Sequence, residues 1–407
     1  MRKFAKPLSI LIFILGTALA VNYARVANAR ETTAILSPIS NSVNIFSLFK
    51  EHKQPKKIIY GYLPYWIMGQ AEYLQLDKLT DIAYFGIYIN ADGSFKETLD
   101  DGTEEPGYAN WKRSESLARL IEDSKKSGVR VSLTVISHED EASDRFLDCK
   151  DCWPVLALNI KKELKRHGLK DVNLNFEYAE YTDVEKAKQY TEFVKFLHND
   201  LDKTYGDSFL VVSTFADSLV KPRVTEIGEL AKVTDGLFIM AYDFHRPSSD
   251  NAGPVSPIGG IGVHAEYDIK TMIKDYLTVA PPNKLIMGVP YYGYNWVVTS
   301  SNAYAIRIEG RDDIGYSQSQ TYAGIMDTIL RVRPLLKWDA LGQTPYFSYV
   351  SAESGSTREV YFDNEQSLRA KYQLINENNL KGVGIWALGY DEGYAELWNL
   401  LYDEFIE

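Results

Sequence analysis

The chain has 407 residues, 45% hydrophobic and 24% charged, which is ordinary globular composition with length for one barrel-sized domain plus an insertion. A formal net charge of -11 argues against nucleic acid or an anionic membrane surface as partner, since both repel an acidic protein. A neutral ligand is compatible with that charge, and 28 Tyr and 7 Trp suit stacking on sugar rings as well as core packing.

In chain order, Arg2, Lys3 and Lys6 precede an apolar run from Leu8 to Val21 and small-residue sites at 18–20 and 27–29. That order predicts a signal peptide over 1–29 and a secreted or envelope-associated protein. The run is shorter than the roughly 20 residues a bilayer span needs, so no membrane span is expected after cleavage. Residues 30–56 read as a polar linker. From 57 onward, short apolar runs at 58–63, 82–89, 129–136, 172–177, 209–215, 236–242, 284–290 and 383–388 alternate with amphipathic segments at 114–126, 153–167, 184–203, 266–279, 365–378 and 394–405. Such alternation predicts an α/β fold with parallel strands and crossover helices. Eight runs favour a closed (β/α)8 TIM barrel over 57–407, with a doubly wound sheet as the alternative. The stretch 297–362 is too long for a loop and rich in Tyr, Ser and Gly, so it reads as a small α+β insertion subdomain after strand seven, with a turn at 351–357.

The only cysteines, Cys149 and Cys152, cannot close a four-ligand zinc site and lack thioredoxin-like flanks. A small-loop disulfide between Cys149 and Cys152 is expected, with free thiols as the alternative. The histidines show no metal-ligand spacing, so neither a metal nor another cofactor is expected, and the protein is expected to act as a monomer.

The most informative segment is Lys170-Asp171-Val172-Asn173-Leu174-Asn175-Phe176-Glu177-Tyr178. In a strand, Asn173, Asn175 and Glu177 share one face, and Val172, Leu174 and Phe176 the other. In a barrel the polar trio projects inward and rises toward the C-terminal mouth, where such interior polarity has to bond to itself or to a ligand. An edge strand with one solvated face gives the same pattern without a site.

Four further segments accompany it: Tyr60-Gly61-Tyr62-Leu63-Pro64-Tyr65-Trp66, Met240-Ala241-Tyr242-Asp243, Lys284 to Gly293, and Gly382 to Leu388. In this order the set resembles glycoside hydrolase family 18, the chitinases and related endo-N-acetylglucosaminidases. The Met-Ala-Tyr-Asp segment matches that family's Met-x-Tyr-Asp, and 170–177 its Asp-x-x-Asp-x-Asp-x-Glu signature, with Glu177 on the terminal acid. The resemblance implies a partner: an oligo- or polysaccharide containing N-acetylglucosamine. It also implies substrate-assisted retaining hydrolysis, an exception to the two-carboxylate scheme.

On that model Glu177 is the acid/base, and its pKa is expected to be raised by partial desolvation. Tyr242 donates to the acetamido oxygen, Asp243 bonds the sugar or acetamido group, and Trp386 forms the floor. Asn173, Tyr62 and Tyr292 are implied as further substrate contacts. Tyr65, Trp66 and Trp296 fit subsites and core packing equally.

The chain departs from the signature at Lys170, Asn173 and Asn175, all aspartates in the family pattern. Asn175 keeps a hydrogen bond to the acetamido group but loses the counter-charge, which predicts a chemical step slower by about one to three orders of magnitude. Lectin-like family members typically lose the glutamate that this chain keeps, while glycosidases of family 85 resemble natural users of an Asn-x-Glu pair. A hydrolase is therefore expected, with a non-catalytic chitin- or peptidoglycan-binding barrel as the alternative. The third strand, Ser132 to Ser137, lacks the family's Ser-x-Gly-Gly. The following His138 and Glu139 fit a substrate contact, an influence on the Glu177 pKa, or plain loop polarity.

Overall fold

The computed structural model describes residues 54–178, 182–221 and 223–407. The expected signal peptide and nearly all of the expected linker lie outside these residues. Eight parallel strands close into a barrel: β1 Ile58–Pro64, β2 Asp81–Tyr88, β3 Arg130–Ser137, β4 Asp171–Phe176, β5 Leu210–Phe215, β6 Gly236–Met240, β7 Leu285–Pro290 and a last strand, Gly382–Trp386. With its flanking helices this is a (β/α)8 TIM barrel, and the doubly wound alternative falls.

The strands are buried on both faces. On β4, Val172, Leu174 and Phe176 pack outward into the main apolar cluster with Phe146, Tyr190 and Phe193 from the surrounding helices. Asn173 and Asn175 turn inward and are also buried.

Helix ends follow local chemistry. Ser114 accepts from the Leu117 amide at 3.1 Å to start Glu115–Ser127, which ends on Gly128 at φ 74°, where a side chain would be strained. Its Leu117, Leu120, Ile121 and Ser124 form the buried stripe at helical spacing. The segment expected to be helical over 266–279 is helical only over Ile269–Tyr276, because the Asp268 carboxylate caps the Thr271 amide at 2.9 Å. Helices at Pro106–Arg113, Asp140–Asp148 and Ile227–Val233 carried too short an apolar pattern to be expected. Cys149 and Cys152 are joined as a disulfide in the turn between Asp140–Asp148 and Cys152–His167.

After β7 the chain passes through Tyr291 into a second, antiparallel sheet. Its strands are β8 Tyr292–Val297, β9 Gln318–Thr321, β10 Lys337–Asp339, β11 Thr344–Val350 and β12 Thr357–Phe362, in the order β10-β11-β12-β8-β9; the barrel's last strand is therefore β13. A helix, Tyr322–Val332, follows β9. Tyr292, Tyr294 and Trp296 alternate along β8 on one face and pack with Tyr346 and Tyr361 in an aromatic cluster that touches Tyr242, Trp386 and Tyr390. The second sheet thereby sets its aromatic face against the barrel mouth. Among the described residues no helix is long and apolar enough to cross a membrane.

Candidate active site

A cavity of 210 Å³ lies at the C-terminal mouth, and its lining includes Tyr62, Asn175, Glu177, Tyr242, Asp243, Tyr292 and Trp386. These residues are far apart in sequence, and parallel strand ends bring them together. Glu177 follows the last residue of β4, and its amide donates to the Ser137 carbonyl at 2.9 Å. Trp386 ends β13, and Tyr242 and Asp243 follow β6 after the single residue Ala241. The cavity adjoins a second one of 340 Å³, which shares Phe215, Met240, Tyr242, Asp243 and Arg246 with it.

Two residues expected to touch substrate lie lower. Asn173 is fully buried and absent from the lining. Its Oδ1 accepts from the Tyr62 hydroxyl at 3.0 Å, and its Nδ2 donates to the Val211 carbonyl at 3.3 Å. Tyr62 also pairs with Ser213 at 2.6 Å. Its hydroxyl is thus committed beneath the pocket, and only its ring reaches the lining. The pair supports the floor: the Trp386 ring lies 5.3 Å from Tyr62 and edge-to-face with Phe85 at 4.7 Å, contacts that fix the indole's tilt. Trp296 is fully buried, and its indole N–H donates to the Arg246 carbonyl at 3.0 Å. It packs the core, whereas Trp66 is 53% exposed on the rim.

The opposite wall is built around Asp243. Its backbone adopts φ 63°, a left-handed conformation uncommon outside glycine and kept where surroundings impose it. The Tyr292 and Tyr294 hydroxyls both donate to Asp243 Oδ1, the latter at 2.6 Å, and Arg246 Nε stands 3.9 Å from Oδ2. Charge-assisted bonds of this kind orient the carboxylate firmly. Burial, reinforced by the charges of Glu177 and Asp243, pushes the Tyr242 phenol well above its ordinary range. It is therefore a neutral donor at physiological pH, and its hydroxyl makes no hydrogen bond among the described residues.

At Glu177 the expected electrostatics are reversed. Burial does push the carboxyl up, but the His138 hydrogen bond and charge, the Asn175 amide and the Arg246 guanidinium together outweigh it. The carboxyl is held below its ordinary range. Asn175 Nδ2 donates to Glu177 Oε1 at 2.8 Å, and His138 Nε2 lies 3.2 Å from the same oxygen. Of the readings open for His138, an influence on the Glu177 pKa is the one present, and it acts against desolvation. Arg246, Tyr294 and Tyr390 also line the pocket and were not anticipated. Tyr294 was legible in principle, two residues after Tyr292 on one strand face, while Arg246 sits in a turn that no periodicity marks.

The family model of glycosyl hydrolases family 18 matches residues 58–391. The chain belongs to family 18. A cortical fragment-lytic enzyme of Bacillus subtilis is 25% identical over 301 residues, 70% of this chain and 62% of that enzyme's length. Among solved structures, Ostrinia furnacalis Group IV chitinase superposes with a TM-score of 0.72 at 20% identity, covering 85% of this chain and 98% of the chitinase. The spore cortex-lytic enzyme SleL of Bacillus megaterium gives a TM-score of 0.68 at 21% identity over 97% of this chain and 84% of SleL. Membership of family 18 supports a glycosidase activity in general, and these structural likenesses establish the barrel.

Proposed function

We propose that the protein cleaves β-linked N-acetylglucosamine-containing polysaccharide or glycan by substrate-assisted catalysis with retention, Glu177 acting as acid and then base. The observation that carries this reading is the convergence, on one cavity, of a carboxyl from β4, an unbonded phenol after β6 and an indole at the end of β13. Glu177 protonates the leaving glycosidic oxygen while the substrate's acetamido oxygen attacks the anomeric carbon. Tyr242 donates to that acetamido oxygen, and Asp243 bonds the same ring. Trp386 stacks beneath it. Asn175 commits Nδ2 to Glu177 and His138, which leaves Oδ1 to accept the acetamido N–H; the amide orientation is assigned from this bonding. The adjoining cavity favours an oligosaccharide over a single sugar. The relatives' names, chitinase and cortical fragment-lytic enzyme, favour a chitin or cell-wall glycan. We place the activity outside the cell or at its envelope, on the strength of residues 1–29, and in a monomer.

The test is release of reducing ends from chitin oligomers, N-glycans and peptidoglycan by the wild type and by Glu177→Gln. Activity in the first and not the second supports the reading, and equal inertness of both on all three substrates removes it. A second reading, a non-catalytic chitin- or peptidoglycan-binding barrel, is favoured by the depressed Glu177 pKa and the missing Asn175 charge. Calorimetry showing tight oligosaccharide binding with no turnover would select it.

A further inference from the structure

Adjacent strands β3 and β4 run in register, with Ile136 opposite Asn175 and Ser137 opposite Phe176. The next step brings His138 beside Glu177. Three atoms then form a closed triangle: His138 Nε2 lies 3.2 Å from Glu177 Oε1, and Asn175 Nδ2 lies 3.0 Å from Nε2 and 2.8 Å from Oε1. Counting hydrogens decides what can hold such a triangle. With a bare Nε2 and an ionised carboxylate, two lone pairs face each other across the 3.2 Å edge, which is repulsive. With one proton on that edge, the edge itself is satisfied, and the Asn175 amide donates to whichever of the two atoms does not carry the proton. If the proton sits on Nε2, the Asn175 amide donates to Oε1. If it sits on Oε1, the same amide donates to Nε2. A carboxylate at 175 has no hydrogen to offer either partner.

We propose that His138 and Glu177 share a single proton, with Asn175 as the donor that satisfies whichever of the two is bare, so that His138 is the positioning and proton-holding residue of the acid. The proposal rests on the reading of Glu177 as acid and base. Before reaction the proton moves from Nε2 to the carboxylate. Glu177 then gives it to the glycosidic oxygen as the bond from that oxygen to the anomeric carbon breaks and the acetamido oxygen bonds to that carbon. The pair is left without a proton, and His138 is neutral. When water's oxygen bonds to the anomeric carbon and the acetamido oxygen leaves it, Glu177 takes one of water's protons and the pair is reset.

The depression of the Glu177 pKa by His138, against burial, agrees with this arrangement. The other groups facing the pair are few. Tyr88 and Phe85 on β2 place their rings 5.5 and 6.4 Å from the imidazole. Glu139 in the adjoining turn lies 3.8 Å from Lys96. Tyr62, Tyr242, Tyr292, Tyr294, Asp243 and Arg246 line the pocket around Glu177. The side chains of His138 and Glu177 are each 32% exposed, so the pair exchanges its proton with solvent.

The experiment records the imidazole nitrogen resonances of His138 by NMR in the full chain at fixed pH, with and without Glu177→Gln, and then pH–rate profiles on a β-1,4-linked N-acetylglucosamine tetramer. Loss of the carboxylate is expected to move the Nε2 resonance, because the shared proton loses one of its two holders. An unmoved resonance overturns the proposal whether or not the protein is active. In turnover, the alkaline limb of kcat/KM belongs to the pair. His138→Gln is expected to move it at least about one unit lower with KM within about threefold, and added imidazole is expected to restore His138→Gly. An unmoved limb also overturns the proposal. A moved resonance in a protein that cleaves none of the three substrate classes supports proton sharing while removing the hydrolase reading.

Discussion

The two walls of the pocket are built on different plans. The wall from β6 and β8 is dense and aromatic, with Asp243 gripped by two phenols and the unbonded Tyr242 hydroxyl beside it. The wall from β3 and β4 is sparse: one carboxyl, one amide and one imidazole share three short contacts. The first keeps the family residues that would hold and polarise an acetamido group, while the second has replaced the charges that would assist the acid. On the proposed mechanism recognition and proton transfer fall to different walls, and substitutions on the two walls should separate them.

The largest effect is expected on the sparse wall. Glu177→Gln should lower kcat by about a thousandfold, the scale of a lost general acid, while the Kd for an N-acetylglucosamine tetramer measured by calorimetry stays within about threefold. A large loss of binding instead would mean that the carboxylate grips substrate. Next, Tyr242→Phe removes one hydroxyl and almost no volume. Loss of a single preorganised donor predicts a fall of about a hundredfold in kcat with KM nearly unchanged. A change in KM alone would make the phenol a binding group only.

Asn175→Asp probes how much the missing charge matters. It adds a carboxylate beside Glu177, which disfavours ionisation of the acid and supplies a counter-charge to the developing cation. A fall in kcat of about tenfold is expected, because the carboxylate has no hydrogen for Glu177 or His138, and a rise would show that the counter-charge outweighs the amide's donation. Tyr294→Phe is milder. Asp243 keeps the Tyr292 bond and loses one of two, which predicts a rise in KM of about threefold to tenfold and little change in kcat.

The two walls also differed in legibility. Strand periodicity put Asn175 and Glu177 on one inward face, and ordered motifs located Tyr242, Asp243 and Trp386, because such features depend on neighbours in sequence. Asn173 has the same periodicity as Asn175, yet it is spent on Tyr62 and Val211 below the pocket. Depth along a barrel strand depends on stagger, which alternation does not encode. The sign of the Glu177 shift depends on His138 from a neighbouring strand and Arg246 from a distant turn, and so on strand order. The position of His138 just past the third strand made it a candidate for the first of these, whereas nothing in sequence pointed to Arg246. The short helices escaped notice because fewer than three turns of apolar spacing do not stand out from loop sequence.

The smallest expected effect lies outside both walls, under the aromatic one. Glu359 on β12 is fully buried; its Oε2 accepts from the Ala305 amide at 3.1 Å, and its Oε1 has no partner among the described residues. Burial pushes its carboxyl up to about 7. The folded chain then binds a proton that the unfolded chain has already lost between an ordinary carboxylate pKa of about 4.3 and about 7. Stability contributed by this group accordingly falls as pH rises through that window and is flat above it, by up to about 4 kcal/mol. Glu359→Gln abolishes the titration while keeping an acceptor for Ala305. Its Tm relative to wild type should be lowest at pH 4 and should climb to a plateau near pH 8, with kcat at fixed pH unchanged. A pH-independent difference in Tm would show that the carboxyl finds a compensating partner when ionised, and that the support beneath the aromatic wall is indifferent to pH.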